Sequence, residues 1–196
     1  MPRVSILMSV YNGEKTLQES LNSIYRQSYT DWELIIINDC STDNSPDILS
    51  SAKAIFYNIK IITNSQNIGL TKSLNKGLLH CSGEYVARID ADDSWNKDKL
   101  KKQVAFLDRN DTYGLVATNS FVIDIKGVNR SYNELDLESD SQLKSAMIKF
   151  NPFVHSSVLF NRRIVEELGG YDESYKYAQD YNLWARMMAY CKFYKI

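Results

Sequence analysis

The chain has 196 residues, 44% of them hydrophobic and 24% charged, with a formal net charge of -1 and a pI near 6.1. These fractions exclude a disordered or collagen-like chain and suit one domain with a full core. The near-zero charge provides no field to gather duplex DNA, so no nucleic-acid partner is expected. No run of eighteen apolar residues occurs, and the start "MPRVSILMSVYNGEK" lacks a signal-peptide layout, so neither a transmembrane span nor export is expected.

Val4 to Val10 reads as a buried strand, and Leu17, Leu21, Ile24 and Tyr25 follow at the spacing of an amphipathic helix. The pattern repeats with a strand over Glu33 to Ile37 and a helix opening at "STDNSP", where Ser41, Thr42 and Asp43 can cap and Pro46 suits a first turn. Ile59 to Thr63 is a third strand, Thr71 to Leu79 a third helix, and Tyr85 to Ile89 a fourth strand. Strands alternating with helices predict an α/β fold, a mostly parallel central sheet with helices on both faces. The lysine-rich run Lys97 to Lys102 reads as a solvated helix face.

From Gly114 the alternation fades. "GLVATNSFVID" and "HSSVLFN" are β-rich, "ELDLESDSQ" reads as an acidic loop, and "RIVEELGGYDE" as a short helix ending at a glycine pair. The absence of a linker or internal repeat predicts a single domain over 1–196, with this second half an elaboration of the sheet. Cys40, Cys81 and Cys191 are odd in number, widely spaced and without C-x-x-C pairing, as expected of reduced thiols in a cytosolic protein.

Ligands of open parallel sheets sit beyond the carboxyl ends of the strands. Tyr11 and Asn12, Asn38 and Asp39, Asn67 and Gly69, and Asp90, Asp92 and Asp93 all collect there. Taken singly, each polar residue reads equally well as a turn former or helix cap. Three carboxylates in four positions of "DADD" do not, because a turn needs one cap and like charges repel. A divalent cation completed by substrate phosphates offsets that repulsion. "VYNGEKT" follows the first strand where G-x-G-x-x-G would mark a dinucleotide site, and no G-x-x-x-x-G-K-[ST] loop occurs.

Four stretches, "VSILMSVYNGEKTLQESLNSIYRQSYTDWELIIINDCSTDNS", "NIGLTKSLNKGLLHCSGEYVARIDADDSW", "NPFVHSSVLFNRR" and "GGYDESYKYAQDYNLWARM", resemble the family-2 glycosyltransferases of the GT-A fold, over nearly the whole chain and in the family's order. The resemblance implies inverting, metal-dependent transfer of a sugar from a nucleoside-diphosphate sugar to a hydroxyl acceptor, such as a glycan or lipid-linked glycan in surface polysaccharide synthesis. It implies a nucleotide-sugar-binding half over 1–113, an acceptor-side half over 114–196, and Mg2+ or Mn2+ held by Asp92 with Asp90. Tyr11 takes the place of an aromatic that packs on the nucleobase, beside Ser9. Asp39 takes that of a carboxylate that accepts the imide N–H of uracil, thymine or guanine, so UDP, GDP and dTDP donors all fit.

The implied nucleotide-sugar set is completed by Asn67, Lys72, Asp90, Ala91 and His155, although Lys72 and Arg88 read equally as plain charge partners and His155 as a core histidine. Asp180 falls at the general base. Leu183, Trp184, Met187 and Met188 read as core. The chain departs from the family in carrying Asn38 before Asp39 and Gln179 before the base, and it lacks the Gln-x-x-Arg-Trp motif of processive synthases, which favours one sugar per event. By the same resemblance the chain is expected to be cytoplasmic, at the inner face of the membrane if further C-terminal helices follow. A sugar-phosphate nucleotidyltransferase and a silent sugar-nucleotide-binding module are the competing readings.

Overall fold

The computed structural model describes residues 1–55, 57–124, 129–132 (backbone only) and 136–196. The elements run β1 (Val4–Val10), α1 (Leu17–Tyr25), β2 (Trp32–Asn38), α2 (Ser45–Ile55), β3 (Ile59–Thr63), α3 (Leu70–Leu78), β4 (Tyr85–Arg88) and α4 (Lys99–Leu107). They continue with β5 (Tyr113–Ala117), β6 (Phe121–Ile123), β7 (Asn129–Tyr132), α5 (Asp140–Ala146), a 3-10 turn His155–Ser157, β8 (Leu159–Asn161), α6 (Arg162–Glu167), α7 (Gln179–Met187) and β9 (Lys192–Lys195).

Seven strands form one sheet in the order β3-β2-β1-β4-β8-β5-β9, and β6 and β7 pair separately as a hairpin. Within the large sheet β8 runs antiparallel to both neighbours, and the other pairings are parallel. The sheet is covered on both faces, as its alternation dictates. Val4, Ile6, Met8 and Val10 of β1 face a core shared with Leu17, Leu21 and Ile24 of α1, Leu49 of α2 and Leu100, Val104 and Leu107 of α4. Leu7, Ile35, Val86 and Phe160 face a second core with Leu74 and Leu78 of α3, Leu143 of α5, Val165 of α6 and Leu183, Trp184 and Met187 of α7. Trp184 is core, as its sequence context implies.

The first half follows the periodicity to within a residue or two, and several readings of the surface and of the second half are corrected. Tyr25 is 62% exposed, because eight residues beyond Leu17 it has rotated roughly 80° away on a 3.6-residue helix. Lys99 is buried, against the solvated-face reading: its Nζ donates to Gln103 Oε1 at 2.8 Å and lies 4.1 Å over the Trp95 ring. Burial pushes this ammonium well below its ordinary pKa. The start of "ELDLESDSQ", residues 134 and 135, lies outside the described residues, and its loop reading holds over 136–138 but ends at Ser139, which opens α5 through a reciprocal capping box with Gln142. "HSSVLFN" is a turn followed by a three-residue strand. "CKFYKI" carries β9, the edge strand beside β5. No helix among the described residues is long and apolar enough to cross a membrane.

Helix α3 approaches the sheet closely through Gly77, where an added Cβ would stand 2.3 Å from Leu7 Cδ1 and 3.3 Å from Ile37 Cγ1. Both side chains are fully buried and cannot give way freely. Gly77→Val is expected to lower stability by about 1–3 kcal/mol through overpacking, despite the better helix propensity of valine over glycine. Urea unfolding checks this, and an unchanged midpoint would contradict the close packing.

Candidate active site

The rim above the carboxyl ends of β1 and β2 is tied together by short polar side chains. Asn12, in the left-handed region at φ 53°, donates its N–H to Ser41 Oγ at 3.0 Å and accepts from Thr42 N–H at 2.8 Å. Asn38 accepts from Ser41 N–H at 3.0 Å, and Gly13 N–H donates to Ser45 Oγ at 2.9 Å. Ser9 is half-buried below this loop pair, while the Tyr11 ring stands 52% exposed at the edge.

Asp39 is only 2% exposed and organises the loop after β3. Its Oδ1 accepts from Asn64 Nδ2 at 2.8 Å and from Ile68 N–H at 2.9 Å, and its Oδ2 from Gly69 N–H at 2.8 Å. Gly69 takes φ 88° to present that N–H at the start of α3, a conformation for which glycine is suited. A carboxylate has about four acceptor positions. One on Oδ2 is left over. Asn67 is exposed and accepts from Gly69 N–H, and Lys72 is exposed on the first turn of α3.

The acidic loop leaves β4 next to the β1 loop, with the Ala91 methyl near Gly13. Asp90 is gripped from two sides. Oδ1 pairs with the buried Arg88 guanidinium, Oδ2 accepts from Ser156 Oγ at 3.1 Å, and its own N–H donates to that Oγ at 2.8 Å. Burial alone would raise its pKa, but the Arg88 charge and these hydrogen bonds overcome that and hold it below the ordinary value. Asp93 behaves oppositely, raised by burial and by the neighbouring Asp90 and Asp92 charges. Its backbone carbonyl accepts from Ser20 Oγ at 2.6 Å, anchoring the loop to α1. Asp92 is exposed.

Because β8 runs antiparallel, its amino end lies beside the carboxyl end of β4, where Ala87 is opposite Leu159. The turn His155–Ser157 is thereby delivered to the acidic loop, and Trp95 Nε1 fastens it by donating to Ser156 O at 2.8 Å. His155 Nε2 meets Tyr171 OH at 2.9 Å, and its ring stands edge-on to Tyr171 and Trp184. Burial, reinforced by the Arg88 charge, pushes the imidazole well below its ordinary pKa and keeps it neutral. Asp180, in the first turn of α7, accepts from Asn151 Nδ2 at 2.9 Å. The Tyr171 hydroxyl, its pKa raised mainly by burial, senses the charges of both Asp180 and Asp90.

Two groups of residues named from the sequence thus meet at one rim, with Ser9, Tyr11, Asp39, Asn67 and Lys72 on one side and Asp90, Asp92, His155 and Asp180 on the other. Sequence reasoning passed over Ser156, Tyr171 and Asn151, whose roles depend on long-range pairing. It left Arg88 undecided, and the structure pairs it with Asp90.

A divalent cation fits this loop in one manner. No cluster of three or more His, Cys, Asp or Glu able to hold a metal occurs among the described residues. Asp90 already spends an acceptor position of each oxygen on Arg88 and Ser156, whereas Asp92 is open. The chain therefore offers one free hard-oxygen donor beside a second, restrained one, a set suited to an ion that takes most of its coordination from water and a diphosphate.

The family model described as glycosyl transferase family 2 matches residues 5–169. In structure the chain is similar to Staphylococcus aureus TarS 1–349 in complex with UDP-GlcNAc, at a TM-score of 0.79 and 24% identity, covering 99% of this chain and 56% of that one. It is also similar to the mannosyltransferase PcManGT from Pyrobaculum calidifontis in complex with GDP-Man and Mn2+, at a TM-score of 0.78 and 24% identity, covering 100% of this chain and 55% of that one. The fold is that of the GT-A glycosyltransferases. Among sequence relatives, the putative glycosyltransferase EpsE of Bacillus subtilis is 38% identical over 188 residues, 94% of this chain and 66% of EpsE. The chain belongs to glycosyl transferase family 2, and it spans less than two thirds of the length of EpsE and of either solved neighbour.

The Asp39 arrangement generates a test. Asp39→Ala would leave Ile68 N–H without an acceptor and Asn64 Nδ2 and Gly69 N–H with only Ser73 Oγ and Asn67 Oδ1, so stability is expected to fall by about 1–3 kcal/mol even with no nucleotide present. Hydrogen exchange at the Ile68 and Gly69 amides is expected to accelerate with it. Full protection of both amides in the variant would contradict the loop-organising role.

Proposed function

We propose that this chain is the donor-binding and catalytic region of an inverting glycosyltransferase that moves one sugar from a nucleoside-diphosphate sugar to an acceptor hydroxyl. The observation that carries this reading is that the Tyr171 hydroxyl, in contact with His155 Nε2 at 2.9 Å, senses the charge of Asp90 from the acidic loop and that of a second carboxylate, Asp180. Inversion is a single displacement. The bond from the anomeric carbon to the diphosphate oxygen breaks as the acceptor oxygen bonds to that carbon, and the acceptor's proton passes to Asp180. A hydrolytic glycosidase needs a second carboxyl as proton donor. A diphosphate leaving group does not, because its charge can be met electrostatically. A divalent cation, Mg2+ or Mn2+, held by Asp92 would supply that charge.

On the donor side, the exposed Tyr11 ring offers a face for a base, and the remaining acceptor position of Asp39 Oδ2 suits an imide N–H. Both uracil and guanine carry one, in keeping with the UDP-GlcNAc and GDP-Man complexes of the two structural neighbours. Ser9, Asn67 and Lys72 line the same side. Residues 1–113 then form the donor half and 114–196 the acceptor half, joined where Ser156 grips Asp90. His155, neutral and hydrogen-bonded to Tyr171, contributes an uncharged polar wall between them. The acceptor is a glycan or lipid-linked glycan, in keeping with the family.

Asn151 donates to Asp180, and Asn at position 180 can still accept that bond while losing proton affinity. Asp180→Asn is therefore expected to bind UDP-GlcNAc or GDP-mannose as the wild type does, while turnover falls by roughly 10²- to 10⁴-fold. Nucleoside diphosphate release, followed beside a binding titration on the same preparation, checks this. Near-wild-type release by the variant would remove Asp180 from the mechanism.

A further inference from the structure

The acidic loop rests on a charge that the proposed reaction does not use. Arg88, the last residue of β4, has no solvent exposure, and its Nε and Nη1 have no hydrogen-bond partner among the described residues. Its Nη2 pairs with Asp90 Oδ1. A guanidinium taken out of water with two nitrogens unpaired weakens a fold, and apolar side chains of similar volume commonly serve stability better. Stability alone thus gives no account of an arginine here, and its one ion pair among the described residues points to what it does.

That pair acts together with Ser156, which takes the other carboxylate oxygen at 3.1 Å and the Asp90 N–H at 2.8 Å. Ser156 is fixed in turn by Trp95 Nε1, which donates to its carbonyl at 2.8 Å. The two oxygens of Asp90 are thus held by groups from two separate elements, the end of β4 and the turn before β8. Asp92, two residues on, is exposed.

We propose that Arg88 is a positioning residue of the nucleotide-sugar site, turning and fixing the Asp90 carboxylate against Ser156 so that Asp92 is the acid left free for a divalent cation. This rests on the reading of the site given above. Arg88 touches neither donor nor acceptor; it acts through Asp90.

A double-variant cycle on sugar-nucleotide affinity separates this role from a merely structural one. UDP-GlcNAc and GDP-mannose are titrated in Mn2+ into wild type, Arg88→Met, Asp90→Asn and the double variant, with folding of each checked by circular dichroism and melting. Arg88→Met is expected to weaken affinity roughly 10- to 100-fold, as loss of an orienting partner does, and to cost nothing further in the Asp90→Asn background. If Arg88→Met fails to fold, Arg88→Lys replaces it with the same expectations, because an ammonium cannot reproduce the planar fork. Losses that add across the two positions, or unchanged affinity in a folded Arg88 variant, overturn the proposal while leaving the proposed function standing. Failure of the wild type to bind either probe strikes both, and it is seen before any variant is compared.

Discussion

Strand β8 enters the sheet antiparallel between β4 and β5, and that reversal brings the amino end of Leu159–Asn161 beside the carboxyl end of Tyr85–Arg88. A seventh parallel strand in that place would have sent the preceding segment to the opposite edge of the sheet. Instead His155 and Ser156 arrive at the acidic loop, Ser156 from 66 residues beyond Asp90 in sequence, and Tyr171 and Asp180 follow on the same side. The hydrogen bonds of Ser156 to Asp90, of Trp95 to Ser156 and of Gln103 to the Ser157 and Val116 carbonyls all depend on this register.

Behind the rim, buried polar groups do the fixing. Asp39 draws the loop after β3 onto β2 through three donors, Arg88 and Ser156 hold Asp90, and Lys99 with Gln103 buttresses the β5–β8 region from α4. Each group lies in a low-dielectric interior, where a satisfied polar network rigidifies and an unsatisfied one weakens the fold. The residues left exposed, Tyr11, Asn67, Lys72 and Asp92, are those with capacity for something outside the chain. A buried, prearranged frame carrying a few open groups is what electrostatic stabilisation of a departing diphosphate requires.

Much of this is legible in the sequence, and the limit has a physical form. Strands β1 to β4 and helices α1 to α3 are local: a buried parallel strand is an apolar run, its helix an apolar stripe, and the polar residues between them fall at the carboxyl ends by topology alone. The acidic triplet is visible because repulsion makes it improbable without a ligand. The second half is less legible because short antiparallel and edge strands carry few residues of pattern, as β8 and β9 show. Helix α5 did have a signal, Ser139 followed by Gln142 at capping-box spacing, hidden inside an acidic stretch. Burial of Lys99 has none: an amphipathic lysine covered by Trp95 looks in sequence like its exposed neighbours Lys101 and Lys102.

The central claim is that the acidic loop receives a nucleotide sugar through a cation held by Asp92. The most direct test is calorimetric titration of UDP-GlcNAc and GDP-mannose in Mn2+ and again after chelation, on the wild type and on Asp92→Asn. The account predicts saturable binding of at least one donor in Mn2+, lost on chelation and lost in Asp92→Asn at an unchanged melting temperature. Binding that is equally strong without the metal, or equally strong in the folded variant, would contradict it.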